Sequence, residues 1–203
     1  MTSFAAFALA HLPPAPARVL EVGCGDEGGI VDELVRAGFD PLGIDPEAPE
    51  GPRFRRVSLE DLDEEPFDAA FAARVLHHVQ ALEPVLDKLA RLAPLVIVEE
   101  FAWERIDRPT QEWYEAHRRE LEAQGVDPHG PADLDEWRSR HVDLHPASSV
   151  LRELEARFTT RLLEDRPYFY RWLKHPPTEP VESELIAAGA IRPIGFRYVG
   201  VRR

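Results

Sequence analysis

A short apolar run that ends in a glycine-rich loop constrains the fold of this chain more than any other feature. The segment VLEVGCGDEGG, residues 19–29, passes from hydrophobic side chains into Gly23, Gly25 and Gly28. The spacing G-x-G-x-x-G after a buried strand is typical of a backbone loop that approaches a bound nucleotide at the start of a helix. The sequence therefore predicts a strand, a tight ligand-binding turn and a helix, which is the first unit of an α/β sheet.

Apolar runs and amphipathic stretches alternate through the first hundred residues and return at the end of the chain. Strands that alternate with helices pair in parallel through right-handed crossovers, so the pattern predicts a doubly wound α/β sheet. The predicted strands are residues 18–24, 40–45, 53–59, 66–73, 94–101 and 191–203, and the predicted helices are 26–38, 82–93 and 181–190.

Residues 102–180 depart from this alternation, because their patterns are mostly helical and highly charged. We expect a single domain over residues 1–203, with its core at 15–101 and 181–203 and a helical insertion or cap at 102–180. Within that insertion, residues 159–165 are predicted to add a strand at the edge of the sheet.

The composition narrows the classes of partner. Asp and Glu number 37 against 24 Lys and Arg, a net charge of −13, which disfavours nucleic acid and anionic lipid. No apolar run reaches the roughly 20 residues of a membrane span, and no basic start precedes the apolar N-terminus as in a signal peptide. The single cysteine, Cys24, suits a reducing compartment. We therefore expect a cytoplasmic protein that acts on a small molecule, and a homodimer is compatible with the sequence.

Three carboxylates crowd the glycine loop and bear on its ligand. Glu21, Asp26 and Glu27 would repel the pyrophosphate of a dinucleotide, which favours bare amides and a positive helix end. S-adenosylmethionine carries an ammonium and a sulfonium but no phosphate, so carboxylates near its site are favourable. The charges thus favour a cationic ligand over a doubly phosphorylated one.

At the level of motifs, VLEVGCGDEGG resembles motif I of the class I S-adenosylmethionine-dependent methyltransferases of the small-molecule type. Residues 43–47 (GIDPE) resemble the family's second landmark, and residues 67–79 (FDAAFAARVLHHV) resemble its fourth. The passage 89–101 and the final helix and strand are also similar, so the resemblance covers residues 18–101 and 181–203. It implies a Rossmann-like, doubly wound, mostly parallel seven-stranded sheet with an antiparallel last strand.

The resemblance also implies S-adenosyl-L-methionine as the cofactor and places its contacts. Glu21, Gly23 and Gly25 would flank the methionine part, and Asp45 would accept hydrogen bonds from both ribose hydroxyls. Ser58 stands where the family often has an acid for the adenine amino group, and Ser58, the Leu59 backbone or Glu60 would take that contact. The full set of implied cofactor-binding residues is Glu21, Gly23, Cys24, Gly25, Asp45, Pro46, Ser58, Leu59 and Arg74.

Two residues are catalytic candidates. His78, at the end of the fourth strand, is a candidate proton acceptor, although an in-line methyl transfer depends mainly on positioning. Glu100, at the end of the fifth strand, is a second candidate, with a solvated strand end as the alternative. Candidate acceptor-binding residues are His77, Trp103, Tyr168 and Tyr170, unless the aromatic residues simply form the core of the insertion.

No metal site is expected. His141 and His145 are four residues apart with Asp143 between them, but Pro146 follows at once and no third ligand is evident.

The function expected from these residues is methyl transfer from S-adenosylmethionine to an oxygen or nitrogen atom of a small molecule. An NAD-dependent oxidoreductase is an alternative, because it shares the glycine pattern and Asp45, although Glu21 disfavours it. A non-catalytic protein that binds S-adenosylmethionine is a further alternative, which only product formation would separate from an enzyme.

Replacement of Asp45 tests the ribose contact. We expect Asp45→Ala to abolish the rise in melting temperature that S-adenosylmethionine causes, because the carboxylate that accepts the two hydroxyl hydrogens is lost. Thermal-shift measurements check this, with circular dichroism to show that the fold is intact. An unchanged rise would contradict the assignment.

Overall fold

Seven strands form one sheet in the computed structural model of the protein, which describes residues 3–203. Their spatial order is β3-β2-β1-β4-β5-β7-β6. The first five pair in parallel, whereas β7 is antiparallel to both β5 and β6. This arrangement confirms the predicted Rossmann-like sheet with an antiparallel last strand. The strands are β1 (Arg18–Val22), β2 (Asp40–Ile44), β3 (Phe54–Arg55), β4 (Ala69–Ala73), β5 (Leu95–Phe101), β6 (Phe158–Arg166) and β7 (Gly195–Arg202).

Helices cover both faces of the sheet. The α-helices of the described part of the chain are α1 (Phe4–His11), α2 (Val31–Arg36), α3 (Leu82–Leu92), α4 (Arg108–Ala123), α5 (Leu134–Arg140), α6 (Ala147–Arg157), α7 (Phe169–Trp172) and α8 (Thr178–Ala187). None of them combines the length and the apolarity needed to cross a bilayer.

Alternate strand residues pack on opposite sides of the sheet. Val19 and Phe71 contact the cluster that includes α1 and α2. Leu20 and Ala70 contact the cluster that includes α3 and α6. Because both faces are covered, the central strands are buried along nearly their whole length, as is usual for parallel sheets.

Two of the predicted elements are less than half as long in the structure as predicted. The helix after β1 begins at Val31 rather than residue 26, since Gly25, Gly28 and Gly29 have positive φ and hold residues 25–30 in turns. The third strand keeps only Phe54–Arg55, and the chain from there to β4 contains no helix in the described structure. The predicted edge strand at 159–165 is confirmed as part of β6.

The aromatic residues of the helical segment form a core of their own. Phe101, Tyr114, Tyr168, Phe169 and Leu173 are buried together, with the rings of Phe101 and Tyr168 stacked at 4.4 Å. The tryptophans of this segment pack against the same cluster, which fastens α4, α5 and α7 to the end of β5.

A core truncation on α3 tests the packing of the sheet. Leu86 has no accessible surface, so Leu86→Ala should lower the free energy of unfolding by about 2–5 kcal/mol through lost contacts and a cavity. Val142 is 74% exposed, and Val142→Ala should change stability by less than about 0.5 kcal/mol. Urea denaturation of both variants checks this, and equal midpoints would contradict the assigned core.

Candidate active site

The carboxyl ends of β1, β2, β4 and β5 meet at one edge, and the strand order reverses between β1 and β4. Ligands of open α/β sheets bind at such a position. Two cavities open there, one of about 270 Å³ that includes Asp45 and one of about 540 Å³ that includes Glu21. Gly23 lines both cavities, so the two cavities adjoin at the loop after β1.

Gly23 is required at its position. Its φ is 78°, and a Cβ there would lie 2.8 Å from the side chain of Val75. Its N–H donates to the carbonyl oxygen of Ile44 at 2.8 Å, which holds the loop against the end of β2. The backbone therefore comes close to the cavities without a side chain in the way.

Glu21 is buried beneath the same loop. Both of its carboxylate oxygens accept the N–H of Ile30, at 3.1 and 3.0 Å, and a side chain at Gly29 would collide with them. The pKa of Glu21 is raised to about 8, chiefly by burial and to a smaller extent by the nearby Glu33. A cation bound in the larger cavity would lower this pKa and favour the charged form of Glu21.

Cys24 lies in the loop but is not a nucleophile. Its side chain is buried, with the sulfur directed at Gly43. Burial and the charges of Glu21 and Asp45 raise the pKa of the thiol to about 12, so the group stays protonated.

Asp45 directly follows β2 and lies on the wall of the smaller cavity. Its Oδ1 accepts the N–H of Glu47 at 2.8 Å, and its Oδ2 accepts the N–H of Gly25 at 3.1 Å. Each oxygen keeps a further lone pair that can accept a ligand hydroxyl. Because Oδ2 also holds Gly25, Asp45 shapes the loop as well as the cavity.

The rest of the smaller cavity is mainly apolar. A carboxylate at the end of an apolar slot suits a nucleoside, with the base against hydrocarbon and the ribose hydroxyls on the acid. Ser58 is already engaged in a turn, because its Oγ donates to Asp61 at 3.1 Å. The wall comprises Val22, Gly23, Ile44, Asp45, Pro46, Val57, Ser58, Leu59, Glu60, Val75, His78 and Val79.

Glu100, a predicted catalytic residue, lines neither of the two cavities. It has no accessible surface, and its oxygens accept the N–H groups of Leu76 at 2.6 Å and Phe101 at 2.9 Å. Oε2 also lies 2.5 Å from Nδ1 of His77, which is itself buried. The geometry gives Glu100 and His77 a positioning role, since together they fix the loop that presents His78.

His78 is exposed and lines the smaller cavity. Its ring lies 4.0 Å from that of His77. Partial burial, and next the proximity of His77, lower the pKa of His78. The imidazole is therefore neutral at neutral pH and able to accept a proton.

Glu99, which the sequence reasoning did not select, joins three arginines. Its Oε1 accepts hydrogen bonds from Arg74 at 3.0 Å and Arg171 at 2.7 Å, and its Oε2 accepts one from Arg197 at 2.7 Å. Arg74 has a φ of 60°, which costs energy for a residue other than glycine. Arg74 and Arg171 both line the larger cavity.

The predicted aromatic residues lie behind this cavity. Tyr168 is stacked on Phe101, and burial raises the pKa of its hydroxyl. Trp103 donates to the carbonyl oxygen of His145 at 3.3 Å, and Tyr170 lies beneath the guanidinium of Arg171 at 5.1 Å. None of the three lines the two cavities, and Trp103 and Tyr168 belong instead to the aromatic cluster at the end of β5.

Glu182 is a second residue that the sequence reasoning did not select. It is fully buried on α8, and its carboxylate accepts the N–H groups of Tyr168, Phe169 and Tyr170 at 2.7, 3.0 and 3.1 Å. These bonds hold the start of α7, which carries Arg171. Burial raises the pKa of Glu182 to about 7.

The histidines considered as metal ligands are used elsewhere. Nδ1 of His141 contacts the carbonyl oxygen of Trp137 at 2.7 Å, and Nε2 of His145 contacts that of Val79 at 2.8 Å. Over residues 3–203, no group of three or more His, Cys, Asp or Glu side chains is placed to hold a metal ion.

The raised pKa of Glu21 has a measurable consequence for stability. The folded state keeps a proton on Glu21 that the unfolded chain loses near pH 4.5, so the free energy of unfolding should fall as pH rises from 5 to 8. In Glu21→Gln, the free energy of unfolding should fall less over this pH range, by an amount on the order of a few kcal/mol. Denaturant unfolding of the ligand-free protein at several pH values measures it. The exposed Asp26 offers the control Asp26→Asn, and a slope unaffected by Glu21→Gln would refute the assignment.

Comparison with known proteins identifies the family. The chain matches the model of the methyltransferase domain over residues 2–157. A search of the curated proteins found no match. One similar solved structure is an S-adenosylmethionine-dependent methyltransferase from Mesorhizobium loti, 16% identical with a TM-score of 0.59, covering 96% of this chain and 95% of that one.

Two further structures are similar at low identity. Geranyl diphosphate C-methyltransferase from Streptomyces coelicolor A3(2) is 14% identical with a TM-score of 0.59, covering 98% of this chain and 78% of that one. Magnesium protoporphyrin IX methyltransferase from Synechocystis PCC 6803 is 19% identical with a TM-score of 0.54, covering 98% and 80%. The family match decides between the two enzyme classes that the sequence left open: the chain belongs to the methyltransferase domain family, as a class I S-adenosylmethionine-dependent methyltransferase.

Proposed function

We propose that this methyltransferase transfers a methyl group from S-adenosylmethionine to an oxygen or nitrogen atom of a small molecule. The observation that carries the proposal is the pair of cavities joined at Gly23, one apolar with a carboxylate and the other rimmed by acids and arginines. When bound, S-adenosylmethionine supplies a methyl group on a positively charged sulfur. Two of the similar structures are methyltransferases of small molecules, geranyl diphosphate and magnesium protoporphyrin IX, which supports this class of acceptor.

The residues of the two cavities divide the cofactor between them. Asp45 accepts the ribose hydroxyls, and Leu59 lies on the apolar wall for the base, beside Pro46 and Ser58. On the other side of the loop, Glu21 faces the ammonium and Arg74 the carboxylate of the methionine part. Gly23, Cys24 and Gly25 contribute backbone that approaches the cofactor closely.

The transfer itself depends on the placement of the acceptor. An in-line displacement is accelerated chiefly by holding the two reactants in line, and a base adds to this where the acceptor must lose a proton. His78 is the proposed proton acceptor, because it is neutral, exposed and on the cavity wall. Glu100 and His77 position it from beneath.

Residues 102–180 are proposed to form the acceptor side of a single domain, with Trp103, Tyr168 and Tyr170 as its support. This segment carries Arg171 to the wall of the larger cavity. Cytoplasmic location and a homodimer stay predictions.

Product formation tests the proposal directly. The purified full-length chain would be incubated with S-adenosylmethionine and a panel of small molecules that offer hydroxyl, amine or carbon nucleophiles. Formation of S-adenosylhomocysteine with hydroxyl or amine acceptors, detected by mass spectrometry, is the expected result. Binding of S-adenosylhomocysteine without turnover on any acceptor would instead favour a non-catalytic binding protein.

Replacement of His78 tests its role. His78→Gln should lower kcat by about 10²- to 10⁴-fold, the usual contribution of a positioned base, and leave the Kd for S-adenosylhomocysteine unchanged. His129 is exposed outside the site, and His129→Gln serves as the control. A weaker Kd with unchanged kcat would show that His78 contacts the cofactor rather than the reacting proton.

A further inference from the structure

Two arginine side chains line the larger cavity, and the proposed cofactor contacts account for only one of them. Arg74 and Arg171 line it, and both donate to the same atom, Oε1 of Glu99, so their guanidinium groups are neighbours. Arg74 comes from the end of β4, whereas Arg171 comes from α7, a different part of the chain. Glu21, Asp26, Glu27 and Glu33 line the same cavity, so the two neighbouring guanidinium groups are the part of it that suits an anion.

Glu99 does not neutralise this charge. It is a single carboxylate facing Arg74, Arg171 and Arg197, and Glu164 lies 3.8 Å from Arg197 on the far side. A guanidinium has five N–H donors, and within residues 3–203 the side-chain hydrogen bonds of Arg74 and Arg171 go to Glu99 alone. Their side chains are 36% and 28% exposed, so donors are available to a ligand.

Arg171 is held in place before any ligand binds. The carboxylate of Glu182 accepts the three amides at the start of α7, and Phe169 and Trp172 of that helix pack in the aromatic cluster. The guanidinium also lies over the ring of Tyr170. A group fixed in advance loses little entropy when it binds a ligand.

The place of Arg171 in the chain separates it from the cofactor machinery. The methyltransferase domain match covers residues 2–157, which includes the glycine loop, Asp45 and Arg74 but not α7. One cation suffices for the single carboxylate of the cofactor, and Arg74 supplies it from the matched part. From this arrangement we infer that Arg171 binds a carboxylate or phosphate group of the methyl acceptor. The inference rests on the proposed function and narrows the acceptor to an anionic small molecule.

Two ligands that differ in one part separate the roles of the arginines. S-adenosylhomocysteine contains the amino-acid carboxylate, and 5′-methylthioadenosine lacks it. Measured by isothermal titration calorimetry, the Kd for S-adenosylhomocysteine should rise about 10- to 100-fold in Arg74→Gln, whereas the Kd for methylthioadenosine should not change. Arg171→Gln should leave the Kd of both ligands within about twofold of the wild type.

The acceptor side is then probed on protein saturated with S-adenosylhomocysteine. Benzoate, phenyl phosphate and the neutral benzamide would be titrated with ligand-observed NMR, and the wild type should prefer one or both anions. Arg171→Gln should reduce that preference at least about tenfold, and Arg171→Lys should retain part of it. Arg152→Gln on α6, an exposed arginine elsewhere, is the matched control. The stronger of the two anions distinguishes a carboxylate from a phosphate acceptor.

Two results would overturn the inference. One is a loss of S-adenosylhomocysteine affinity in Arg171→Gln as large as in Arg74→Gln, which would place both arginines on the cofactor. The other is a wild-type protein that binds benzamide as well as it binds the two anions. Equal melting temperatures of Arg171→Lys and wild type confirm that the fold is retained. Failure of wild type to bind S-adenosylhomocysteine at all would refute the proposed function instead.

Discussion

Hydrogen bonds to buried carboxylates hold the loops at the carboxyl edge of the sheet, and both cavities depend on them. Burying a carboxyl group costs free energy unless the group is hydrogen-bonded, and here Glu21, Glu99, Glu100 and Glu182 each accept a hydrogen bond from another segment. Glu21 fixes the start of α2, Glu100 fixes the chain after β4, and Glu182 fixes α7. The cost of burial is thus offset by interactions that position the groups facing the ligand.

Acidic and basic side chains come from different segments of the chain at this one site. The loop after β1 presents acids, while β4 and α7 present arginines, and the methionine part of the cofactor carries an ammonium and a carboxylate. A chain with a net charge of −13 would repel anions at a distance. Arg74 and Arg171, which both contact Glu99, place positive charge where an anion could bind. Because these arginines are partly buried, salt screens their charge less than it screens surface charges.

The local features could be predicted from the sequence, and the long-range contacts could not. The apolar period and glycine spacing predicted the parallel strands and the loop at Gly23, because each depends on neighbours in the chain, whereas Asp45 was selected through the resemblance to the methyltransferase family. Adjacent strand residues such as Glu99 and Glu100 face opposite sides of the sheet, but no local pattern tells which of the two reaches the arginines. The partner of Arg171 lies 72 residues away, and Glu182 bonds amides 12 to 14 residues away, so no local pattern indicated either.

Chemical modification of Cys24 can report on the opening of the glycine-rich loop after β1. Electrophiles react with the thiolate, and a pKa raised to about 12 keeps the thiol protonated at neutral pH. The sole sulfhydryl of the chain is also covered by the packing of the loop on β2. Alkylating reagents would therefore label the molecule only when this loop opens, so the rate of modification would measure how often the opening occurs.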